Sequence, residues 1–384
     1  MGLLNALGLA RAGVRVTVVE REPAVPASPR AMVYTYAVLD GLEDLGILDE
    51  IERQGFTTQE GIWFKSFATG EQIRWKMDVL DGLVAHPYNV NLGQHRVAEI
   101  ALEHLGRLPG TEVRFGTEMS ALAQDADGVS ITVRTGDGEP ETLRAGWVIG
   151  ADGARSAVRE SLGLGFDGIT WPERFVATNV LFDFGALGYG PGNFLIDPEH
   201  GAVIARIDDH GLWRCTYCED LSLPEETIPD RMPAYFRTIL PPEADLPEVV
   251  QWSPYRMHQR TADRMRVGRV LLAGDAAHAT NPTGGMGLTS GMLDTFVLHE
   301  ALAAVIGGAA SGEILDRYSD ERLRIFREHA SPQATEWKRL VFHSDDPERL
   351  EQDLAMLRHV QDDADARREG FLSMQELRTP SLAG

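Results

Sequence analysis

The sequence is poor in cysteine and in positive charge, and it lacks a secretion leader. Two cysteines in 384 residues cannot build the disulfide framework of a small secreted protein, so a cytoplasmic location is expected. The 58 acidic residues outnumber the 36 lysines and arginines, which gives a formal charge of −22. Because this charge repels phosphate backbones and anionic lipid surfaces, neither nucleic acid nor a membrane is expected as a partner.

The two cysteines, Cys215 and Cys218, form a C-x-x-C pattern. A zinc site needs two more ligands, and a redox pair usually opens a helix, whereas the surrounding residues 212–218 have the composition of a strand. The pattern therefore predicts two reduced thiols on a sheet, and no metal site is expected.

The first 20 residues have the pattern of half a βαβ unit. A stretch of helical composition at 3–12 ends at Gly13 and is followed by a β-branched strand that ends on Glu20. The strand and glycine turn that should precede this helix are absent from the sequence. We therefore expect that the open reading frame begins upstream, and that restoring roughly 10–20 residues ending in G-x-G-x-x would raise stability and cofactor occupancy.

Patterning along the rest of the chain predicts an α/β fold. Helices are expected at 36–53 and from Gln94 to about 105, antiparallel strands between 166 and 260, and a buried strand at 269–274 that leads into a long helix. The architecture is an interrupted Rossmann-like domain that lacks its first strand, an inserted antiparallel β-rich domain and a C-terminal helical tail. The predicted boundaries are 1–69, 94–165 and 263–306 for the Rossmann-like domain, 70–93 and 166–262 for the β-rich domain, and 307–384 for the tail.

Three signals in chain order indicate a dinucleotide site. Glu20 ends a strand, where an acid accepts hydrogen bonds from a ribose hydroxyl, and Gly2 lies where the third glycine of a phosphate-binding turn belongs. The second signal is a strand that runs into Asp152 and Gly153. The third is Asp275, at the end of a strand that is followed by a glycine-rich entry into a helix, where exposed amides face a ligand.

A literal G-x-G-x-x-G is formed by Gly163, Gly165 and Gly168. It follows a predicted helix at 154–162 rather than a strand, and no helix is predicted after it, so its amides would not converge on an anion. We interpret it as a turn between domains.

The sequence resembles the flavoprotein aromatic hydroxylases of the para-hydroxybenzoate hydroxylase fold. The resemblance runs from Gly2 to about residue 304, and its most specific part is the stretch 268–278, Gly-Arg-Val-Leu-Leu-Ala-Gly-Asp-Ala-Ala-His. It implies an FAD-dependent monooxygenase that uses NADH or NADPH and O2 to hydroxylate an aromatic substrate, a phenol or an aromatic acid, through a flavin C4a-hydroperoxide. The choice between NADH and NADPH and the identity of the substrate stay open, and the oligomeric state, a homodimer included, is not determined.

The resemblance also implies roles for individual residues. Glu20 would hold the adenosine ribose, and Asp275 the ribityl chain. Asp152 and Gly153 would serve both FAD and the nicotinamide cofactor. The other implied cofactor contacts are Gly2, Arg30, Gln94, Gly285, Gly287 and the amides of Leu288 and Thr289. Many relatives have an asparagine at the position of Thr289 and Pro-Pro in place of Asn281-Pro282, so the substrate geometry is expected to differ.

A phenolic substrate needs an acceptor for its proton, and the candidates in the β-rich region are Tyr217, Tyr255 and His258. The resemblance also implies that the carbonyl of Pro282 lies near the substrate. His278 is expected to be neutral and structural, because it lies beside a helix N-terminus. Two rival interpretations stay open. One is a flavin epoxidase or non-aromatic hydroxylase of the same fold, and the other is a cofactor-free remnant that acts only as a binding protein.

Overall fold

The computed structural model of the protein describes residues 1–27 and 30–383. Ser28 and Pro29, which belong to the stretch before Arg30 that resembles the hydroxylases, lie outside the described residues. The helices are α1 Gly2–Arg11, α2 Tyr36–Asp44, α3 Leu48–Gln54, α4 Gln94–Gly106, α5 Ala157–Ser161, α6 Ile228–Ile239, α7 Met286–Ile306, α8 Glu313–Ile325, α9 Ser331–Phe342, α10 Pro347–Asp362 and α11 Ala364–Leu372.

The strands fall into five sheets. They are β1 Val16–Val19, β2 Val33–Tyr34, β3 Phe56–Thr58, β4 Ile62–Ser66, β5 Gln72–Trp75, β6 Asn89–Asn91, β7 Thr111–Arg114, β8 Thr117–Gln124, β9 Val129–Thr135, β10 Glu141–Ala145, β11 Val148–Gly150, β12 Phe166–Leu181, β13 Gly192–Ile196, β14 Ala202–Arg206, β15 Leu212–Asp220, β16 Glu248–Ala262, β17 Arg266–Val267, β18 Val270–Leu272 and β19 His278–Ala279.

Two short parallel pairings form the Rossmann-like part. β1 pairs with β7, and β11 pairs with β18, whose three residues are completely buried, as a strand covered on both faces requires. Helices α1, α4 and α7 pack beside these strands. Both α1 and β1 occur where the sequence predicts them, and Gly13, at φ +81°, follows α1 in the left-handed conformation of a helix cap.

The largest sheet has eight strands in the order β19-β16-β12-β15-β14-β13-β4-β5. One face packs against α6 through apolar residues that include Val176, Tyr217 and Phe236. The opposite face packs against α9, α10 and α11 through residues that include Phe175 and Leu357. The C-terminal helices are thus part of the same packed body as the sheet.

The structure differs from the sequence predictions in several elements. The helix predicted at 36–53 is two helices, because Gly46 adopts φ +66° and ends α2 before α3 begins. Between residues 166 and 260 the sequence predicts strands but neither helix α6 nor strand β13, and the structure has both. Helix α6 carries a proline, Pro233, in its interior. Strand β4 belongs to the eight-stranded sheet, which therefore starts before the predicted domain boundary at residue 70.

One helical stretch, Thr283–Ile306, is long and apolar enough to cross a membrane by length and composition. More than half of its most apolar window is buried inside the protein, where Leu298, Ala301 and Leu302 belong to a core cluster with β18. We interpret it as the central helix of the Rossmann-like part.

Candidate active site

A crevice of about 2120 Å³ lies between the β1–β7 pair and the β11–β18 pair. Its walls include residues of β1 and β11, and the first turn of α1 faces it. Gly2, in that turn, faces the loop after β11: a Cβ added there would make an ordinary contact with the Cβ of Ala151, 3.7 Å away. The crevice therefore joins the ends of several strands, which is where ligands bind in open α/β sheets.

Three residues that the sequence singled out line the crevice: Glu20, Arg30 and Gln94. Glu20 directly follows β1, and one carboxylate oxygen accepts a hydrogen bond from the amide of Glu22 at 2.9 Å, which fixes its direction. Gln94 is the first residue of α4, so its side chain stands at a helix N-terminus. A carboxylate, a guanidinium and an amide are thus brought together along one wall.

The turn after β11 contributes Asp152 and Gly153, which also line the crevice. Asp152 accepts hydrogen bonds from Ser156 Oγ at 2.5 Å and from the amide of Val158 at 3.1 Å, so its carboxylate holds the turn into α5. Gly153 has φ +80°, a conformation that favours glycine. Arg159 bridges this turn to the next loop by donating to the carbonyl oxygens of Ala154 and Ala276, both at 2.9 Å.

Asp275 lies in the loop after β18, and its side chain is exposed. Desolvation by the surrounding protein raises the pKa of its carboxyl group, while the charges of His278 and Arg30 act in the opposite direction. The strand-end acid thus lies within electrostatic range of Arg30, which lines the crevice.

The loop before α7 exposes backbone amides. Gly284 and Gly285 have φ of +82° and +73°, and no side chain in the described part of the chain caps the helix. The first amides of α7 have no partners within the helix, and there is no acid in its first turn, so its positive end is available to an electron-rich group. Gly287 and Leu288 lie in this first turn, and Leu288 lines the crevice. Thr289, one residue further along, is buried.

Two contacts hold this loop in place. Asn281 donates to the carbonyl oxygen of Ala334 in α9 at 3.1 Å and accepts from the amide of Thr283 at 3.1 Å. Trp337 of α9 lies so close to Gly284 that an added Cβ would be 2.7 Å from its ring. Pro282 is exposed, and its carbonyl oxygen accepts a hydrogen bond from the amide of Gly285 at 3.1 Å.

A buried ionic network lies beneath the Asp275 loop. Asp294 of α7 accepts hydrogen bonds from His278 Nε2 at 2.7 Å and from Arg322 Nε at 2.8 Å, and all three side chains are fully buried. Burial alone would raise the pKa of Asp294, but the charges and hydrogen bonds of His278 and Arg322 lower it. His278 also stacks on Phe326. Its place in this network fits the structural role predicted for it.

The three candidate proton acceptors lie in different surroundings. Tyr255 faces the C-terminal helices, with its ring edge-on to Phe175 at a centroid distance of 5.8 Å, and burial raises the pKa of its hydroxyl. Tyr217 lies on the opposite face of the sheet, stacked on Tyr235 of α6 at 3.9 Å. Tyr217 and Tyr255 thus lie on opposite faces of the sheet, because residues along a strand alternate between its two faces, and the sequence does not reveal which face is which.

His258 accepts or donates one hydrogen bond, to Thr170 Oγ1 at 2.9 Å. Desolvation and the nearby charges of Arg260, Arg155 and Arg256 lower the pKa of its imidazole. His258 is therefore neutral at neutral pH, as an acceptor must be. His258 is three residues from Tyr255 in β16, so the two side chains lie on opposite faces of that strand.

Arg214 is the feature of the sheet that the sequence analysis missed. It lies in β15 with only 9% of its surface exposed, and it donates to Asn179 Oδ1 at 2.7 Å and to the carbonyl oxygen of Arg30 at 2.6 Å. Within residues 1–27 and 30–383, no carboxylate forms an ion pair with Arg214. Burial lowers the pKa of its guanidinium to about 10. Arg214 thus stays positive at neutral pH, on the face of the sheet that also carries Tyr255.

Three further residues of the site were also missed. Arg159, Asp294 and Arg322 act through contacts that join distant segments of the chain. The one local signal is Asp294, a lone acid in the most apolar part of α7.

The arrangement fits an adenine dinucleotide with a flavin ring. It offers an acid at the end of β1, a guanidinium and an amide along the wall, and an uncapped helix N-terminus with two left-handed glycines that leave room for close approach.

Comparison with known proteins gives the same cofactor. A family model described as FAD binding domain matches residues 1–331. The chain is 44% identical over 381 residues to 6-hydroxy-3-succinoylpyridine 3-monooxygenase HspB of Pseudomonas putida strain S16, covering 99% of this chain and 96% of that protein. It is 42% identical over 382 residues to para-nitrophenol 4-monooxygenase of Pseudomonas sp. strain WBC-3, covering 98% and 93%.

Solved structures agree. The crystal structure of p-nitrophenol 4-monooxygenase PnpA from Pseudomonas putida DLL-E4 is similar at a TM-score of 0.94 and 41% identity, covering 98% of this chain and 95% of that one. A ternary complex of aklavinone-11 hydroxylase with FAD and aklavinone is similar at a TM-score of 0.78 and 32% identity, covering 89% and 67%.

Proposed function

The chain belongs to the FAD-binding-domain family and is an FAD-dependent aromatic monooxygenase, and from this premise we propose that its substrate is a small phenol bound as its anion. The observation that carries the proposal is the buried cation of Arg214, whose partners are Asn179 Oδ1 and the carbonyl oxygen of Arg30 and which has no carboxylate partner among the described residues. A buried charge without a counter-ion is costly, so an anionic ligand would stabilise it.

The names of the two relatives support a common reaction position. Both names describe a ring with a hydroxyl group. In both, the number given to the oxygenated carbon is that of the carbon with the second substituent, and this carbon is para to the hydroxyl group. An ionised ring oxygen raises the electron density at its para carbon. We therefore propose that this protein also oxygenates the ring carbon para to the hydroxyl group: with 4-nitrophenol, a C–O bond forms at that carbon, the C–N bond breaks with release of nitrite, and the ring leaves as 1,4-benzoquinone, while the second atom of O2 becomes water at the expense of one NADH or NADPH.

Arg214 and Tyr255 are the residues proposed to hold the ring oxygen. The guanidinium stays charged at neutral pH, and the raised pKa of Tyr255 keeps its hydroxyl protonated, so both groups donate hydrogen bonds. Two donors favour the anion over the neutral phenol. Tyr255 is then a donor rather than the base.

The cofactor contacts are proposed from the crevice residues. Glu20 would bind the adenosine ribose, Arg30 and Gln94 the pyrophosphate and ribityl region, and Asp275 the ribityl hydroxyls. The uncapped amides at the start of α7 would face the electron-rich edge of the flavin ring. Asp152, Gly153 and Gly2 would shape the wall between them.

FAD, reduced by NADH or NADPH, supplies the activated oxygen when it is bound. We propose O2 as the co-substrate and a homodimer as the assembly. We propose the cytoplasm as the location, because Cys215 and Cys218 are both free thiols. The protein's own part is to bind the phenolate beside the cofactor and to exclude water.

The test uses purified protein supplied with FAD, each nicotinamide cofactor, and a panel of phenols that includes 4-nitrophenol, with 4-nitroanisole as the matched methyl ether. We expect the phenols to accelerate flavin reduction and ¹⁸O from labelled O2 to appear in the ring product. The methyl ether, which cannot ionise, should give neither. Nicotinamide oxidation that yields only hydrogen peroxide with every phenol, or equal products from phenol and ether, would overturn the proposal.

A further inference from the structure

A chain of buried contacts connects the C-terminal segment to the Asp275 loop. Arg322 of α8 donates through Nη1 to the carbonyl oxygen of Leu377 at 2.6 Å and to Thr379 Oγ1 at 3.1 Å. Its Nη2 donates to the carbonyl oxygen of Ser290 at 3.2 Å, and its Nε donates to Asp294 Oδ1. One guanidinium on α8 thus holds two other segments of the chain, α7 and the C-terminal segment.

The other oxygen of Asp294 holds the loop itself. Oδ2 accepts from the amide of Gly274 at 3.0 Å and from His278 Nε2 at 2.7 Å. Gly274 has φ +61° and immediately precedes Asp275, so the direction of the Asp275 side chain depends on this turn. Gly274 and His278 are the two ends of the loop, and one carboxylate fixes both.

The network is fully desolvated, which makes its parts interdependent. Asp294 and Arg322 are each 0% exposed, and a buried ion pair is stable only when every remaining donor and acceptor has a partner. If the C-terminal segment no longer contacts Arg322, the guanidinium loses its hydrogen bonds to Leu377 and Thr379, and its hydrogen bond to Asp294 changes. The hydrogen bond from the Gly274 amide to Asp294 then changes as well.

We propose that Arg322 is a positioning residue for FAD, which couples the C-terminal segment Ser373–Thr379 to the loop that carries Asp275. The inference rests on the proposed function, because it requires that Asp275 contacts the bound cofactor. The segment then acts as a clamp: its docking on Arg322 favours the loop conformation that binds FAD.

The mildest test removes one acceptor at the end of this chain of contacts. Thr379→Val deletes the hydroxyl that accepts from Arg322, while Thr379→Ser keeps it. Ser381→Ala is the matched control, since Ser381 Oγ bonds Glu300 on the surface of the same segment. The dissociation constant of FAD is measured by fluorescence titration of the apoprotein, together with the visible circular dichroism of the bound flavin.

We expect Thr379→Val to weaken FAD binding roughly three- to tenfold, as the loss of one hydrogen bond implies, and to alter the flavin dichroism. Thr379→Ser should restore both, and Ser381→Ala should change neither. In an Asp275→Ala background, Thr379→Val should have almost no further effect on FAD affinity, because the contact through which it acts is gone.

Two results would overturn the coupling alone: FAD affinity that is insensitive to Thr379→Val, or a loss of the same size with and without Asp275, which general destabilisation would give. A wild-type protein that binds no FAD would instead overturn the proposed function. Arg322→Lys, compared with the exposed Arg324→Lys on the same helix, provides the second variant. It keeps the charge but cannot span Asp294, Ser290 and Leu377, and we expect weaker FAD binding only for Arg322→Lys.

Discussion

Arg214 of the large sheet donates a hydrogen bond to the carbonyl oxygen of Arg30, 2.6 Å away and 184 positions earlier in the chain. Arg30 lines the crevice, whereas Arg214 lies on the sheet with Asn179 and Tyr255. The contact therefore joins the cofactor wall to the sheet that we propose binds the substrate. It explains how a phenolate and a flavin could be held at a fixed separation by one side chain.

Asp275→Ala should weaken FAD binding about ten- to a hundredfold, because a charge-assisted hydrogen bond contributes about 1.5–3 kcal/mol. The fold should be retained, since the side chain is exposed and fills no core. Flavin content after serial dilution measures the effect. The control is Asp209→Ala, an exposed acid paired with Arg206 in a loop of the sheet. Equal flavin retention by the wild type and Asp275→Ala would remove Asp275 from the site.

Tyr255→Phe should reduce turnover of a phenol by about tenfold or less, because it removes one neutral donor to the ring oxygen. Tyr217→Phe, on the opposite face of the sheet, is the matched variant and should turn over the same phenol at the wild-type rate. Steady-state kinetics with one phenol decide between them. A larger loss for Tyr217→Phe than for Tyr255→Phe would reverse the assignment of the two faces.

Glu173 gives a prediction about acid stability. Burial would raise the pKa of its carboxyl group, but hydrogen bonds and charges from His343 and the fully buried Lys338 lower it to about 2. A depressed pKa means that the stabilisation is complete above the usual pKa near 4.5 and is lost as the pH falls toward 2. Glu173→Gln leaves Lys338 buried and unpaired, so it should destabilise the protein by about 3–5 kcal/mol at pH 7.

The difference in unfolding free energy between wild type and Glu173→Gln should shrink as the pH falls from about 4.5 to 2. Urea titrations across this range measure it. Glu199→Gln, whose side chain is 84% exposed, is the control and should behave as the wild type. A difference that stays constant with pH would show that Glu173 is not charged in the folded protein.

The loop before α7 should not tolerate a side chain at Gly284. Alanine there would place a Cβ 2.7 Å from the ring of Trp337, in a backbone conformation with φ +82°. We expect Gly284→Ala to lower both the melting temperature and FAD affinity. Trp337→Leu in combination with it should relieve the clash and recover part of the melting temperature, although the backbone strain stays. If Gly284→Ala melts at the wild-type temperature, the loop geometry described above is wrong.

Short-range patterns predicted the Rossmann-like part of the fold. α1, β1, α4 and β18 each follow from periodicity or a cap within about a dozen residues, and the acids at the ends of β1 and β18 follow from the strands themselves. The prediction of FAD rested on these same segments, which is why it agrees with the family model.

The sheet face and the buried networks could not be predicted in the same way. Whether Tyr217 or Tyr255 lies against the C-terminal helices depends on which side α6 covers, and α6 carries an internal proline, Pro233, that argues against a helix. Arg322 reaches Asp294 across 28 positions, and Arg214 reaches Arg30 across 184. No local pattern encodes such contacts, because they form only when whole segments pack together.

The ionisation of bound 4-nitrophenol tests the central claim most directly, since the ligand reports its own charge by its colour. The measurement is a pH titration of the complex with oxidised FAD-loaded protein, without nicotinamide, for the wild type and for Arg214→Met. We predict that the pKa of the bound phenol lies about 1–2 units below that of the free phenol in the wild type, as one charge-assisted hydrogen bond implies, and that Arg214→Met abolishes this shift. A bound phenol whose pKa is raised in the wild type, or is unchanged by Arg214→Met, would contradict phenolate binding by Arg214.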